Sequence, residues 1–141
     1  MDEGQREAAI RRWFGLWLEP QETNLETLFT PDAVYIESWG PEYHGAAAIA
    51  HWFREWNRRG RVLRWEIRQF FHKGDQTVVE WQFENRMADG RREAFDGVSL
   101  VRFSPDGRIA RLQEFGCNST RYDPYRNGPE PEFSGEAPRW F

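Results

Sequence analysis

The chain has 141 residues, a formal net charge of −4 and one cysteine, and 16% of its residues are aromatic, among them 8 Trp. This length predicts one domain with one core, while the lack of a run of roughly 18 apolar residues argues against a membrane span and the acidic balance argues against a nucleic-acid binder. Cys117 alone cannot form an internal disulfide, and the first residues carry no signal-peptide pattern, so we expect a cytoplasmic protein whose aromatic side chains surround a cavity.

The first third of the chain predicts two helices followed by a strand. Apolar side chains recur at helical spacing between about residues 5 and 19, and Pro20 then ends the helix. They are Ile10, Trp13, Phe14 and Trp17. A short second helix is predicted near residues 24–29 with Asn24 as its N-cap, and a strand over residues 33–37 ends on the carboxylate of Glu37.

A third helix is predicted after the loop that contains His44. The spacing of the first helix returns in the sequence, and Arg58, Arg59 and Gly60 then supply a favourable helix end. The residues that carry this spacing are Ile49, Trp52, Phe53 and Trp56. Two helices therefore present aromatic faces to the rest of the chain.

Four extended runs follow, and turn signals at residues 74–75, 89–90 and 106–107 separate them. Alternation within the runs gives one apolar, aromatic face and one charged face, which predicts an antiparallel meander covered by the helices on its concave side. The charged face suits either cross-strand ion pairs or a dimer interface. It carries Arg64, Arg68, Glu80, Glu84 and Arg86.

The last 25 residues, 117–141, are rich in Pro and Gly and predict an irregular tail after a domain of residues 1–116. Trp140 and Phe141 end this tail. They form either an exposed terminus or a pair of rings that dock on a groove or on a partner subunit.

Glu37 is the first candidate for chemistry, because a carboxylate that faces an aromatic cavity becomes a stronger base, although it could equally pair with an arginine. Tyr35 alternates with Glu37 and shares its face. His44 is either a proton shuttle or an exposed turn residue, and Asp96, beside Gly97, either enters the cavity through a bulge or faces water.

Eight aromatic side chains are candidates for lining a ligand pocket, with plain core packing as the alternative for each. They are Trp13, Trp17, Trp39, Trp52, Trp56, Trp65, Trp81 and Phe83. The histidines are scattered and no nucleotide-binding glycine motif is present, so neither a metal nor a cofactor is predicted.

The segments "LFTPDAVYIESWGPEYHGAAAIAHWF" and "FDGVSLVRFSPDGRIARLQEF" resemble the SnoaL-like branch of the nuclear transport factor 2-like superfamily over about residues 5–116. The resemblance implies an α+β, cone-shaped fold, in which about three N-terminal helices cover the concave face of a curved, mainly antiparallel sheet. It also implies a homodimer formed through the sheet.

Within this superfamily, comparison with the steroid delta-isomerases implies that Glu37 stands at the position of their catalytic base. The same comparison puts Trp13 and Ser99 at the positions of their two hydrogen-bond donors, a tyrosine and a protonated aspartate. The resemblance implies binding of a small hydrophobic or aromatic molecule, with cofactor-free proton transfer of the isomerase, cyclase or dehydratase type. A non-catalytic ligand-binding or dimerisation module is the alternative.

Overall fold

The computed structural model describes residues 1–21 and 23–134, so Trp140 and Phe141 lie outside the described residues. Within these residues the structure has two α-helices and six strands, with one 3-10 turn at Leu25–Thr27. The helices are α1 (Glu3–Leu18) and α2 (Ala46–Arg59). The strands are β1 (Phe29–Ile36), β2 (Glu42–His44), β3 (Gly60–Lys73), β4 (Gln76–Met87), β5 (Arg92–Phe103) and β6 (Ile109–Asn118).

The six strands form one mixed sheet in the order β2-β1-β6-β5-β4-β3. The predicted antiparallel meander is present as β3 to β6, and its three turns contain Gly74, Gly90 and Gly107, whose positive φ angles suit tight hairpins. β1 pairs in parallel with β6 and antiparallel with β2. Two register shifts in the pairing of β3 with β4 mark bulges, which help a sheet to bend.

The expectation of about three helices is wrong, because the segment near residues 24–29 forms only a single 3-10 turn. Asn24 is the N-cap and Phe29 already belongs to β1, so only residues 25–28, about one helical turn, fit between them. The predicted cap is present, since the Asn24 side chain accepts a hydrogen bond from the Glu26 backbone N–H. α1 begins with a reciprocal capping box between Asp2 and Gln5.

The core lies between the helices and the concave face of the sheet. The predicted stripe of α1 is buried there, and the Phe14 ring stacks on Trp65 of β3 at 3.9 Å. The opposite face carries exposed charges, such as Arg64, which donates to Glu66 and Gln82. No helix within residues 1–21 and 23–134 has both the length and the apolarity needed to cross a membrane.

Candidate functional site

A cavity of about 620 Å³ lies between α1, α2, the loop after β1 and the concave face of the sheet. Its wall is largely aromatic. The aromatic side chains that line it are Trp17, Trp39, Tyr43, Trp52, Trp56, Trp65, Trp81, Phe83 and Phe95. A smaller depression of about 360 Å³ lies beside α2, and the described residues that line it include no carboxylate.

Two paired glycines, Gly97 and Gly116, lie on the sheet at the cavity, and Gly116 lines it. Gly97 of β5 pairs with Trp81 on one side and with Gly116 on the other. A Cβ atom on Gly97 would overlap the Phe115 carbonyl oxygen, so only glycine allows β5 and β6 to approach this closely. The bulge predicted at Asp96 and Gly97 is absent, because β5 keeps its register with both neighbours there.

Glu37 directly follows β1, and a tight loop holds it in place. Its backbone N–H donates to the Pro41 carbonyl oxygen at 2.9 Å, and its carboxylate accepts the Tyr43 hydroxyl proton at 2.7 Å. Burial raises the pKa of Glu37, while the hydroxyl of Tyr43, the indole of Trp39 and the charge of Arg59 act in the opposite direction. Glu37 is therefore a half-buried carboxylate with neighbours that favour its charged form.

Glu114 of β6 also lines the cavity, and its environment is less favourable to charge. Burial raises its pKa to about 8, the Tyr35 hydroxyl opposes this by donating to Oε2 at 2.7 Å, and the nearby charge of Glu37 adds to the rise. Near pH 7 Glu114 therefore holds its proton. Two carboxyl groups in one cavity thus have different tendencies to ionise, which is how acid and base roles become separated in active sites.

A buried hydrogen-bonded chain lies behind Glu114. The indole Nε1 of Trp13 donates to the Tyr35 hydroxyl at 3.3 Å, and that hydroxyl donates to Glu114 Oε2. Trp13 and Tyr35 are both fully buried. Because the Tyr35 oxygen accepts from Trp13, the phenolic proton is directed at Oε2, and Oε1 is left as the oxygen that carries the acidic proton.

Glu114 is the principal residue that the sequence analysis missed. It stands two positions after the buried Leu112, and the cavity-lining Gly116 and Asn118 follow at the same period-two spacing. This alternation was the available signal, because it places an acid on the apolar face of a strand. Tyr43, which donates to Glu37, is also absent from the candidates of the sequence analysis.

The structure brings together most of the aromatic candidates and separates the polar ones. Seven of the eight aromatic candidates line the cavity, with Trp39 80% exposed at its mouth, whereas Trp13 lies in the core behind it. Ser99 is fully buried and accepts a hydrogen bond from Trp81 Nε1 at 2.9 Å. It is therefore a structural partner of Trp81 and not a donor into the cavity.

His44 and Asp96 also lie away from the acid pair. His44 is exposed and contacts Glu42 at 3.0 Å. Asp96 pairs with Arg121 of the segment after β6, with the shorter contact at 2.6 Å. Within residues 1–21 and 23–134 no three His, Cys, Asp or Glu side chains are grouped so that they could hold a metal ion.

A profile of the SnoaL-like domain family matches residues 10–112. The fold is similar to that of an NTF2-like protein of unknown function from Exiguobacterium sp. 255-15, with 21% identity and a TM-score of 0.67 over 79% of this chain and 99% of the other. A search of curated proteins finds no significant match to the sequence.

Two further solved structures are similar at lower identity. A candidate isomerase from Bacillus subtilis has 18% identity and a TM-score of 0.72, over 83% of this chain and 90% of the other. An LEH-like epoxide hydrolase from M. tuberculosis has 15% identity and a TM-score of 0.71, over 81% of this chain and 84% of the other. At these identities the similarity shows a common fold.

Proposed function

The chain belongs to the SnoaL-like domain family of the nuclear transport factor 2-like superfamily, and we propose that it binds a small hydrophobic or aromatic molecule and transfers a proton within it without a cofactor. The observation that carries this proposal is the acid pair in the aromatic cavity. Glu37 and Glu114 both line it, each accepts a hydrogen bond from a tyrosine hydroxyl, and both have a raised pKa.

In the proposed reaction Glu37 is the general base. As a carboxylate it takes a proton from a carbon next to a carbonyl group, and the electrons of that C–H bond move toward the carbonyl oxygen. Glu114 then donates a hydrogen bond from Oε1 to this oxygen as its negative charge develops. Return of the proton from Glu37 to a different carbon completes an isomerisation.

The related structures support chemistry on a small molecule in this fold. One of them carries the name of an isomerase and another that of an epoxide hydrolase. Since a common fold hosts many reactions and these two names denote different ones, the support extends to small-molecule chemistry in general and to no single reaction or substrate.

Exchange of carbon-bound hydrogen for deuterium tests the proposal without knowledge of the full reaction. The protein is incubated in D₂O with a panel of aryl and cyclic ketones, and loss of the C–H signal next to the carbonyl is followed by NMR. We expect catalysed exchange by the parent for at least one ketone, and a loss of roughly a hundredfold or more in Glu37→Gln.

The matched control is Glu80→Gln, which changes an exposed carboxylate on the opposite face of β4 and is expected to leave exchange unchanged. Glu114→Gln is expected to slow exchange, because the amide is a weaker donor than the carboxylic acid. Exchange that persists at the parent rate in Glu37→Gln would remove the general-base role.

The second candidate function is a non-catalytic ligand-binding module. It is favoured by one observation: the indole of Trp13 and the hydroxyl of Ser99, the donors implied by the family comparison, are engaged with Tyr35 and Trp81. A thermal-shift screen that finds ligands stabilising the parent and Glu37→Gln equally, with no turnover of any of them by the parent, would favour this function.

We also propose that the protein is a homodimer formed through the outer face of the sheet. Three large apolar side chains of β3 and β6 are exposed: Leu63, Phe71 and Phe115. Exposed charged side chains such as Arg64 and Glu80 lie on the same sheet, and a mixture of apolar and charged groups suits an interface with a polar component. Sedimentation equilibrium of the parent and of Phe115→Ser tests this, with a dimer expected for the parent and weaker association for the variant.

A further inference from the structure

The cavity-lining residues of β4, β5 and β6 fall into four consecutive rows, because paired residues stand side by side and every second residue faces the same way. From the acid end, the first row contains Glu114, the second Trp81 and Gly116, the third Phe83, Phe95 and Asn118, and the fourth Asn85 and Glu93. Neighbouring rows are about 7 Å apart, so roughly 20 Å of strand separates the first row from the fourth. The cavity is therefore elongated along the strands.

The two ends of this cavity are polar, and its middle is mainly aromatic apart from Asn118 in the third row. The second and third rows combine the open space at Gly116 with aromatic rings, including Phe83 and Phe95, which stack with centroids 6.0 Å apart. The fourth row returns to polar side chains, with Asn85 and Glu93 paired directly across the strands. A bound molecule that fills the cavity thus meets the acid pair at one end and Asn85 at the other.

Asn85 has an unmet hydrogen-bonding requirement. The residue is only 5% exposed, and its Oδ1 atom is buried without a hydrogen-bond partner among residues 1–21 and 23–134. Trp65 of β3, which pairs with Phe83 one row away, is 7% exposed, and its Nε1 is buried without a partner within the same residues. Buried polar atoms are nearly always paired, so an acceptor and a donor in two residues that line this end of the cavity each still have a hydrogen bond to gain.

Charged side chains of both signs line the cavity at and beyond the fourth row, and the further cation there, Arg59, is already paired with Glu55. Arg91 and Glu93 both line this end, and they carry opposite charges. A ligand group that is itself charged would gain attraction from one of them and repulsion from the other, whereas an uncharged group avoids both effects. A hydroxyl or a primary amide is uncharged, donates and accepts, and so matches both Asn85 Oδ1 and Trp65 Nε1.

We infer that the ligand of this cavity is an elongated molecule with a flat apolar body and an uncharged hydroxyl or carboxamide head, and that Asn85 and Trp65 bind this head. The inference rests on the proposed function only in using the same cavity. It defines the substrate class by its two ends: the reacting group lies at Glu37 and Glu114, and the head lies about three rows away.

A series of ω-phenylalkan-1-ols of increasing chain length, compared with their methyl ethers, tests this inference by calorimetric titration. The ethers can accept a hydrogen bond but cannot donate one to Asn85 Oδ1. We expect one chain length to bind best, and at that length the alcohol to bind about fivefold to tenfold more tightly than its ether. Equal binding of alcohols and ethers at every length would overturn the inference, and this comparison requires only the parent protein.

The variants locate the head group. Asn85→Leu is expected to lose the preference for the alcohol while it still binds the ethers. Trp65→Phe removes the N–H and keeps a ring, so it is expected to weaken the binding of alcohols and ethers alike. The matched control is Asn118→Leu, since Asn118 lines the third row and is exposed. The assignment of the head group to Asn85 is contradicted if Asn85→Leu keeps the alcohol preference. It is also contradicted if the preference disappears in Asn118→Leu but not in Asn85→Leu.

This outcome is separable from that of the proposed function. Glu37→Gln is expected to keep the alcohol preference even though proton exchange is lost, because Glu37 lies at the other end of the cavity. If the parent prefers the alcohol over its ether but catalyses no hydrogen–deuterium exchange, the proton-transfer proposal alone is overturned. Exchange by the parent without any preference would overturn the head-group inference alone.

Discussion

Substitution of Glu114 by Gln is expected to change how the stability of the protein depends on pH. Gln keeps the shape of the side chain and an oxygen that accepts from the Tyr35 hydroxyl, so the contact at 2.7 Å survives while the titration is removed. In the parent, burial raises the pKa of Glu114 from 4.5 to about 8. The folded protein therefore binds this proton more tightly than the unfolded chain does.

The direction of the effect follows from proton linkage. Between pH 4.5 and pH 8 the folded state holds the Glu114 proton and the unfolded state has lost it, so the contribution of Glu114 to stability is complete at low pH and disappears as the pH rises toward 8. One proton corresponds to a slope of at most about 1.4 kcal/mol per pH unit. Since Glu114 is half-buried and its surroundings can relax, we expect a loss of about 2–4 kcal/mol over this interval.

Urea denaturation of the parent, Glu114→Gln and Glu80→Gln at pH values between 5 and 8 measures this slope. The parent and Glu80→Gln are expected to become less stable as the pH rises, and Glu114→Gln is expected to have a much smaller slope. The three histidines are common to all three proteins, so their titration cancels in the comparison. Parallel pH profiles for the parent and Glu114→Gln would refute the assignment of a protonated Glu114.

Three further substitutions have expected outcomes. Tyr35→Phe removes a donor to the ionised form of Glu114, so NMR titration should give a higher pKa for Glu114, and an unchanged pKa would contradict this. The same substitution leaves Trp13 Nε1 without its acceptor, so denaturation should show a loss of stability of about 1–3 kcal/mol. Gly97→Ala should destabilise the protein by roughly 1–3 kcal/mol or more, because the added Cβ overlaps the Phe115 carbonyl. Gly15→Ala, with open space around it in α1, should be neutral or stabilising, and equal effects of the two substitutions would contradict the packing argument. Asn24→Ala should cost about 1 kcal/mol through loss of the cap on the 3-10 turn, and no measurable loss in denaturation would contradict the capping role.

Those parts of the fold that local patterns specify could be predicted from the sequence. The stripes of α1 and α2 follow from tryptophans at helical spacing, and the hairpins follow from glycines at positions that require positive φ. β2 was missed because three residues, Glu42–His44, are too few to show a period. The parallel pairing of β1 with β6 was missed because it joins distant segments and leaves no local signal.

The candidate site was predictable in part for the same reason. Glu37 was identified because an acid at the end of an apolar strand is a local feature. Identification of Glu114 requires knowledge of how β6 pairs with β1 and β5, since only that register shows that Glu114 faces the same cavity as Glu37. Trp13 and Ser99 have the right chemistry to donate, but their partners, Tyr35 and Trp81, are set by the packing of the core.

Titration of the two carboxyl groups by NMR, with carbon-13 at the glutamate side-chain carboxyl, tests the central claim most directly. The account predicts that near pH 7 the parent contains Glu114 in its protonated form and Glu37 as a carboxylate, and that Glu37→Gln lowers the pKa of Glu114 by removing the neighbouring negative charge. Titration of Glu114 near the ordinary glutamate pKa of about 4.3 would contradict the account, because Glu114 would then hold no proton to donate at neutral pH.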